Sequence, residues 1–224
     1  MSFTEDTMPK STFFNLKKEK RARIIEAAGQ EFSQQPLYNA SINNIIKTAK
    51  IPRGSFYQYF EDLPDLYGYY FSLILENIQE DLIDSVYKDG GDIFKAVQEY
   101  ASIYLEDILA GPHHNFYKNF FLGANIAIQS KKGGHGPGFD VYHSERLNQL
   151  RVRLKEVVNW EQLKVENEDD QNALQQLIMM IFFHSFANYF VHAIDSQKHP
   201  EDVLKEIKRN LSWLEFGVRR MEEQ

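Results

Sequence analysis

The sequence predicts an all-α fold of about nine helices, and three observations predict it. Apolar residues recur at helical spacing in one segment after another, Gly-Gly and Gly-Pro pairs punctuate those segments, and no stretch alternates as a half-buried strand does. The 224 residues suit one compact domain plus a small one, and a hydrophobic fraction of 43% with 17 Phe and 12 Tyr promises a sizeable aromatic core.

Residues 1–14 read as a loose tail, lacking periodicity. A helix follows over 16–33, with Ile24, Ala28 and Phe32 as its buried seam, and Pro36 closes that unit. The stretch 41–60, SINNIIKTAKIPRGSFYQYF, reads as two short helices around a tight turn, the pattern of a DNA-reading helix-turn-helix. Ser41 stands at an N-cap, and Ile42, Ile45, Ile46 and Ala49 form one stripe. Pro52 supplies a φ suited to the first turn of the second helix, and Phe56 and Phe60 point to the core. The opposite face should then leave Arg53, Ser55, Tyr57, Gln58 and Tyr59 free.

Asp62 and Asp65 cap a long helix, with Pro64 in its first turn, reaching Tyr87. Gly90-Gly91 ends it, Asp92 opens the next to Leu109, and Gly111-Pro112 ends that one. A shorter helix spans 113–130. KKGGHGPGFD, 131–140, is too rich in glycine for a helix and reads as a long loop, and three more helical patterns cover 142–160, 170–194 and 200–221. The stretch Leu174–Ile194 is apolar over more than one face, and Val203, Ile207, Leu211, Leu214 and Val218 form a continuous seam. Such helices cover one large core or dock on their own copies as a four-helix bundle, so a homodimer through about 170–194 and 200–221 is expected.

The net charge of −7 is uneven. Residues 15–60 carry eight Lys and Arg, Lys17 among them, against three Glu, for a net +5 that leaves −12 on the rest. A basic minority segment on an acidic body suits phosphate binding by one end of the molecule. There are no cysteines, no apolar run approaching a membrane span, and an acid-bearing start, MSFTEDTMPK, unlike a signal peptide. A cytoplasmic protein with no membrane partner is the expectation.

No nucleophile elbow, Walker loop, zincin motif or dinucleotide fingerprint is present, so no catalytic residue is assigned and a non-enzyme is expected. His184, Asn188 and His192 share a helix face, but the two histidines lie ~12 Å apart along the axis, too far to chelate one ion, so no metal is assigned. The body offers Tyr100, Tyr104, Phe116, Phe120, Phe121, Phe183, His184 and Asn188 as lining for an unidentified small-molecule effector; no other cofactor is expected.

From Arg23 to Tyr67 the chain resembles the TetR-type transcriptional repressors of bacteria. IIEAAGQEF, SINNIIKTAKI and RGSFYQYFEDLPDLY follow that family's three-helix head, the last looking like its usual "kgtlYxYFxsKedLy". The resemblance implies a DNA-binding domain over 15–61 and a ligand-binding and dimerisation domain over 62–224. It places Arg53, Gly54 and Ser55 where the recognition helix enters the major groove and Asn43 at another base-reaching position. It makes Tyr57, Tyr59 and Ser41 phosphate contacts. Four departures accompany it: Leu63 for a phosphate-binding Lys, Pro52 for a capping Ser or Thr, Lys50 for the turn Gly, which implies positive φ on a side-chain-bearing residue, and Ile46 for a small Ala. The function implied is a ligand-responsive repressor binding a near-palindromic operator as a homodimer. The alternative is a helical module of the same fold that senses ligands or partners without operator binding.

Overall fold

The structure is a computed structural model that describes residues 9–129, 145–192 and 199–218; the glycine-rich stretch 131–140 lies outside them. Among the described residues there are ten α-helices and no strand: α1 (Ser11–Phe14), α2 (Lys18–Gln34), α3 (Ile42–Thr48), α4 (Arg53–Tyr59), α5 (Leu63–Lys88), α6 (Ile93–Ala110), α7 (His114–Gln129), α8 (Glu145–Val157), α9 (Glu168–His192) and α10 (Pro200–Val218). The all-α expectation holds. The helix beyond the expected nine is α1, in what reads as a tail. Its buried side chain is Phe13, whose ring lies among Phe60, Tyr69 and Tyr59 at 4.9, 5.5 and 6.3 Å, and Phe14 meets Tyr69 edge-on at 6.1 Å.

The chain forms two compact units, one of residues 1–75 and 113–144 and one of 76–112 and 145–224. The first unit therefore contains more than the three-helix head, because α7 packs on α2. The amide of Asn119 shows how: its Nδ2 donates to the carbonyls of Phe32 and Ser33, both at 3.0 Å. Two carbonyls that the end of α2 leaves without helical partners are thus satisfied by α7. Around this junction Phe32, Tyr67, Tyr70, Phe71, Phe116 and Phe120 form a continuous ring cluster, with centroid spacings such as 4.8 Å for Phe32–Tyr67 and 4.7 Å for Phe71–Phe120. Tilted and edge-on pairs of this kind add to the area they bury.

In the second unit α10 packs on α6 and α9. The α10 seam is as expected at Val203, Ile207 and Leu211, all buried, while Leu214 and Val218 are half-buried. Gln98 on α6 donates to Glu215 on α10 at 3.0 Å. Asp92 caps α6 as expected, accepting from the N–H of Lys95 at 3.1 Å. Among the described residues α9 alone is long and apolar enough to cross a membrane by length and composition, a property the run-length reading of the sequence passed over. A core helix passes the same test, and Leu174, Ile178, Phe182 and Phe186 of α9 are buried within the unit.

Candidate nucleic-acid interface

The turn between α3 and α4 is set by backbone hydrogen bonds. Ile51 N–H reaches back to the Ile46 carbonyl at 3.0 Å and Lys50 N–H to Lys47 at 3.3 Å, the paired closure of a Schellman motif. That closure demands a left-handed residue at position 50, and Lys50 has φ +52°, as its replacement of the family's glycine implied. The same closure ends α5, where Gly90 (φ +68°) takes the position without a Cβ penalty. Arg23 of α2 adds a bond from Nε to the Ala49 carbonyl at 2.9 Å, so a basic side chain completes the end of α3.

The start of α3 is held from behind. Ser41 occupies the N-cap position, but its side chain makes no cap bond. Its N–H instead donates to Glu31 Oε1 at 2.7 Å, which also accepts from Asn44 Nδ2 at 3.2 Å. Glu31 is buried, so one carboxylate of α2 holds the start of α3 in place; nothing in the helical pattern of the sequence marked it.

On the outer face three predicted residues come together. Arg53 Nη1 donates to Asn43 Oδ1 at 2.5 Å, Arg53 Nη2 donates to Tyr57 Oη at 3.2 Å, and the guanidinium carbon lies 5.8 Å from the Tyr57 ring centroid. All three side chains are exposed. Gln58 and Gly54 are exposed on the same helix and Ser55 is half-buried. A Cβ built on Gly54 meets nothing within 4 Å, so no packing among the described residues requires glycine there.

Tyr59 departs from the expected exposed face. It is 5% exposed, its ring packs against Phe13, and its hydroxyl accepts from Lys20 Nζ at 3.0 Å. The reason is α1, which covers a side of α4 that the two-helix pattern left open. Lys17 is exposed at the start of α2, where its carbonyl accepts from the N–H groups of Lys20 and Arg21. Phe56 and Phe60 are fully buried, as expected.

The effector candidates fall into two groups. Phe116, Phe120 and Phe121 are buried in the first unit. Tyr100, Tyr104, Phe183, His184 and Asn188 belong to the second, where Tyr104 lies 6.1 Å from Phe182 and 5.6 Å from Phe186 and His184 is exposed. Burial pushes the Tyr100 hydroxyl up to about 12, helped by Asp81 and Asp107, so it is a neutral donor at pH 7. Among the described residues no three His, Asp or Glu side chains converge to hold a metal.

Two family models match the chain. "Bacterial regulatory proteins, tetR family" matches residues 24–67, and "Tetracyclin repressor-like, C-terminal domain" matches residues 92–218. The chain belongs to the TetR family. Its relatives include the HTH-type transcriptional regulator AcrR of Shigella flexneri, 29% identical over 117 residues, which are 50% of this chain and 54% of AcrR. The HTH-type transcriptional regulator HbdR of an Aromatoleum strain is 33% identical over 82 residues, 37% of this chain and 36% of HbdR. The chain thus spans about half the length of AcrR and about a third of HbdR. In fold it resembles Thermus thermophilus FadR, a TetR-family transcriptional repressor crystallised in complex with lauroyl-CoA, with a TM-score of 0.64 over 91% of this chain and 98% of that one at 17% identity. The TetR-type match over 24–67 runs from within α2 to the first turns of α5, so Glu31, Asn43, Arg53 and Tyr57 all lie inside it.

Proposed function

We propose that this chain is a ligand-responsive transcriptional regulator, a repressor, that binds a near-palindromic operator as a homodimer and carries out no chemistry of its own. The observation that carries the reading is the exposed cluster of Arg53, Asn43 and Tyr57 on the α3–α4 pair. Each terminal nitrogen of the guanidinium spends one N–H on the neighbouring amide or phenol and retains a second, and such a paired set of donors suits bidentate bonding with O6 and N7 of a guanine. The open space at Gly54 fits close approach of a DNA backbone or base edge. Ser41, Ser55, Gln58 and Lys17 supply phosphate and groove contacts that set register, and Tyr59 acts from inside by holding Lys20.

A second copy of the chain is the partner for the apolar surface of the second unit. Leu177, Met179 and Met180 of α9 and Trp213 and Phe216 of α10 are exposed, Phe216 by 80%. Two such faces related by a two-fold axis bury one another, and the same axis matches a palindromic operator. The effector is a small, largely apolar molecule contacting aromatic residues such as Tyr104 and Tyr100. The ligand complex of FadR, a protein of similar fold, supports a ligand-binding role for the body.

Leu63 favours the alternative of a module without operator binding, since it places no cation at the start of α5. Selection from a randomised duplex library, followed by gel shift at moderate salt, separates the two. Enrichment of an inverted repeat is expected, and absence of sequence-selective binding at every salt concentration would refute the repressor reading.

A further inference from the structure

The last four carbonyls of an α-helix have no intrahelical partners, and a helix of two turns is too short to hold itself in water. Both conditions apply to α4, whose last carbonyls belong to Phe56, Tyr57, Gln58 and Tyr59. The first accepts from the N–H of Phe60 at 2.9 Å. The other three are taken by a segment far away in sequence: Lys10 Nζ donates to the Tyr57 carbonyl at 3.1 Å, Thr12 Oγ1 donates to the Gln58 carbonyl, and Lys10 N–H donates to the Tyr59 carbonyl at 2.9 Å. The segment is anchored in turn by Phe13, 1% exposed, and by an ion pair of Lys10 with Glu61 at 2.8 Å.

These bonds reach the reading face. Tyr57, whose carbonyl Lys10 holds, is the residue whose hydroxyl accepts from Arg53. We infer that Lys10 and Thr12 are positioning residues for DNA reading: they clamp the C-terminal turn of α4 and so hold Tyr57, and through it the Arg53 guanidinium, in the orientation that discriminates a base. The inference rests on the proposal that α4 reads DNA. It also assigns a task to the segment before the three-helix head, because Lys10 and Thr12, which occupy these carbonyls, lie outside that head.

The test uses the full chain carrying Thr12→Val, which removes the hydroxyl and keeps the shape, with Thr12→Ser as the conservative control and Lys10→Met as a second probe. Relative affinities for the selected operator and for random duplex are measured alongside the unfolding midpoint and amide exchange of the α4 C-terminal turn. Thr12→Val should lower the ratio of selected to random affinity by on the order of fivefold, about what one hydrogen bond contributes net, and speed exchange at Phe60, with any fall in the midpoint staying within the roughly 4–8 °C that one such bond supports. Thr12→Ser should stay within about twofold of the wild type, since its hydroxyl still reaches the carbonyl.

Unchanged selectivity in Thr12→Val, or an equal fall for selected and random duplex, overturns the inference. So does a Lys10→Met variant that keeps its base preference but loses about one unit of salt slope, the behaviour of a phosphate contact. A wild-type chain with no selective binding sinks the repressor reading as well. A selective wild type with an unaffected Thr12→Val sinks only the clamp.

Discussion

Gly29 sits in the middle of α2, where alanine would ordinarily gain about 1 kcal/mol of helix propensity. At this site the gain is opposed. A Cβ on Gly29 would stand 2.6 Å from Tyr70 Oη and 3.0 Å from two atoms of its ring. The first distance is short of ordinary van der Waals contact by about 0.8 Å, and overpacking on this scale costs roughly 1–3 kcal/mol. Tyr70 has little room to yield, being 7% exposed with the rings of Phe32 and Phe116 at 5.8 and 5.1 Å and its hydroxyl 3.4 Å from His113 Nδ1. Gly29→Ala should therefore destabilise the first unit by about 1 kcal/mol net, a shift of roughly 4–8 °C in midpoint for a unit of this size. Tyr70→Phe removes the atom at 2.6 Å, so in its background the same alanine should be neutral or stabilising, with a coupling of about 1 kcal/mol in a double-mutant cycle. Both tryptophans, Trp160 and Trp213, lie in the second unit, so the reporter must be near-UV circular dichroism of the tyrosines or amide exchange along α2. Additive effects of the two substitutions would refute the contact argument.

Arg53→Ala should leave the unfolding midpoint unchanged, because its bonds to Asn43 and Tyr57 are exposed, while relaxing preference at one base position at a cost of about 1–3 kcal/mol in operator affinity. An unaltered preferred sequence in the selection assay would remove Arg53 from the readers. Burial holds the Asp65 carboxyl above the usual carboxylate range, and its Oδ1 is buried without a partner while Oδ2 accepts from the Glu61 N–H at 2.7 Å. A folded value above the unfolded one means that the stability tied to this group is present below the unfolded value and lost as pH rises through the folded one. Asp65→Asn, which keeps an acceptor for Glu61, should gain on the wild type as pH rises from about 3.5 to 7 in urea titrations, since its amide has no charge to desolvate; a pH-independent difference would contradict the assignment. Phe216→Glu should shift the chain to monomer in sedimentation velocity with its helix content intact, since Phe216 is 80% exposed on α10. An unchanged dimer would move the interface elsewhere.

Most of the helical plan was legible because it is periodic. Ile24, Ala28 and Phe32, and likewise Val203, Ile207 and Leu211, each repeat every fourth residue, and each set is buried as expected. The Asn43–Arg53–Tyr57 cluster was legible as an exposed polar face, since Arg53 and Tyr57 are four apart on one short helix and Asn43 lies in the first turn of its partner. Lys50 shows how far a local rule reaches: the turn required positive φ whatever residue stood there, and the chain complied with a lysine.

Helix positions, the residues that share a face and the exposed polar pair of α3 and α4 were thus all encoded in local sequence. Tertiary structure alone decided which segment covers each remaining face. Four residues of α1 are too few to show a period, yet Phe13 and the backbone of Lys10 place them on α4 and bury Tyr59, which the two-helix pattern left outside. Glu31 and Asn119 likewise carry no pattern; each matters because a distant helix end brings it unpaired N–H or C=O groups. Periodicity encodes contacts between neighbours in the chain, whereas the partner of a helix end is chosen by whatever polar side chain the packed core delivers to it.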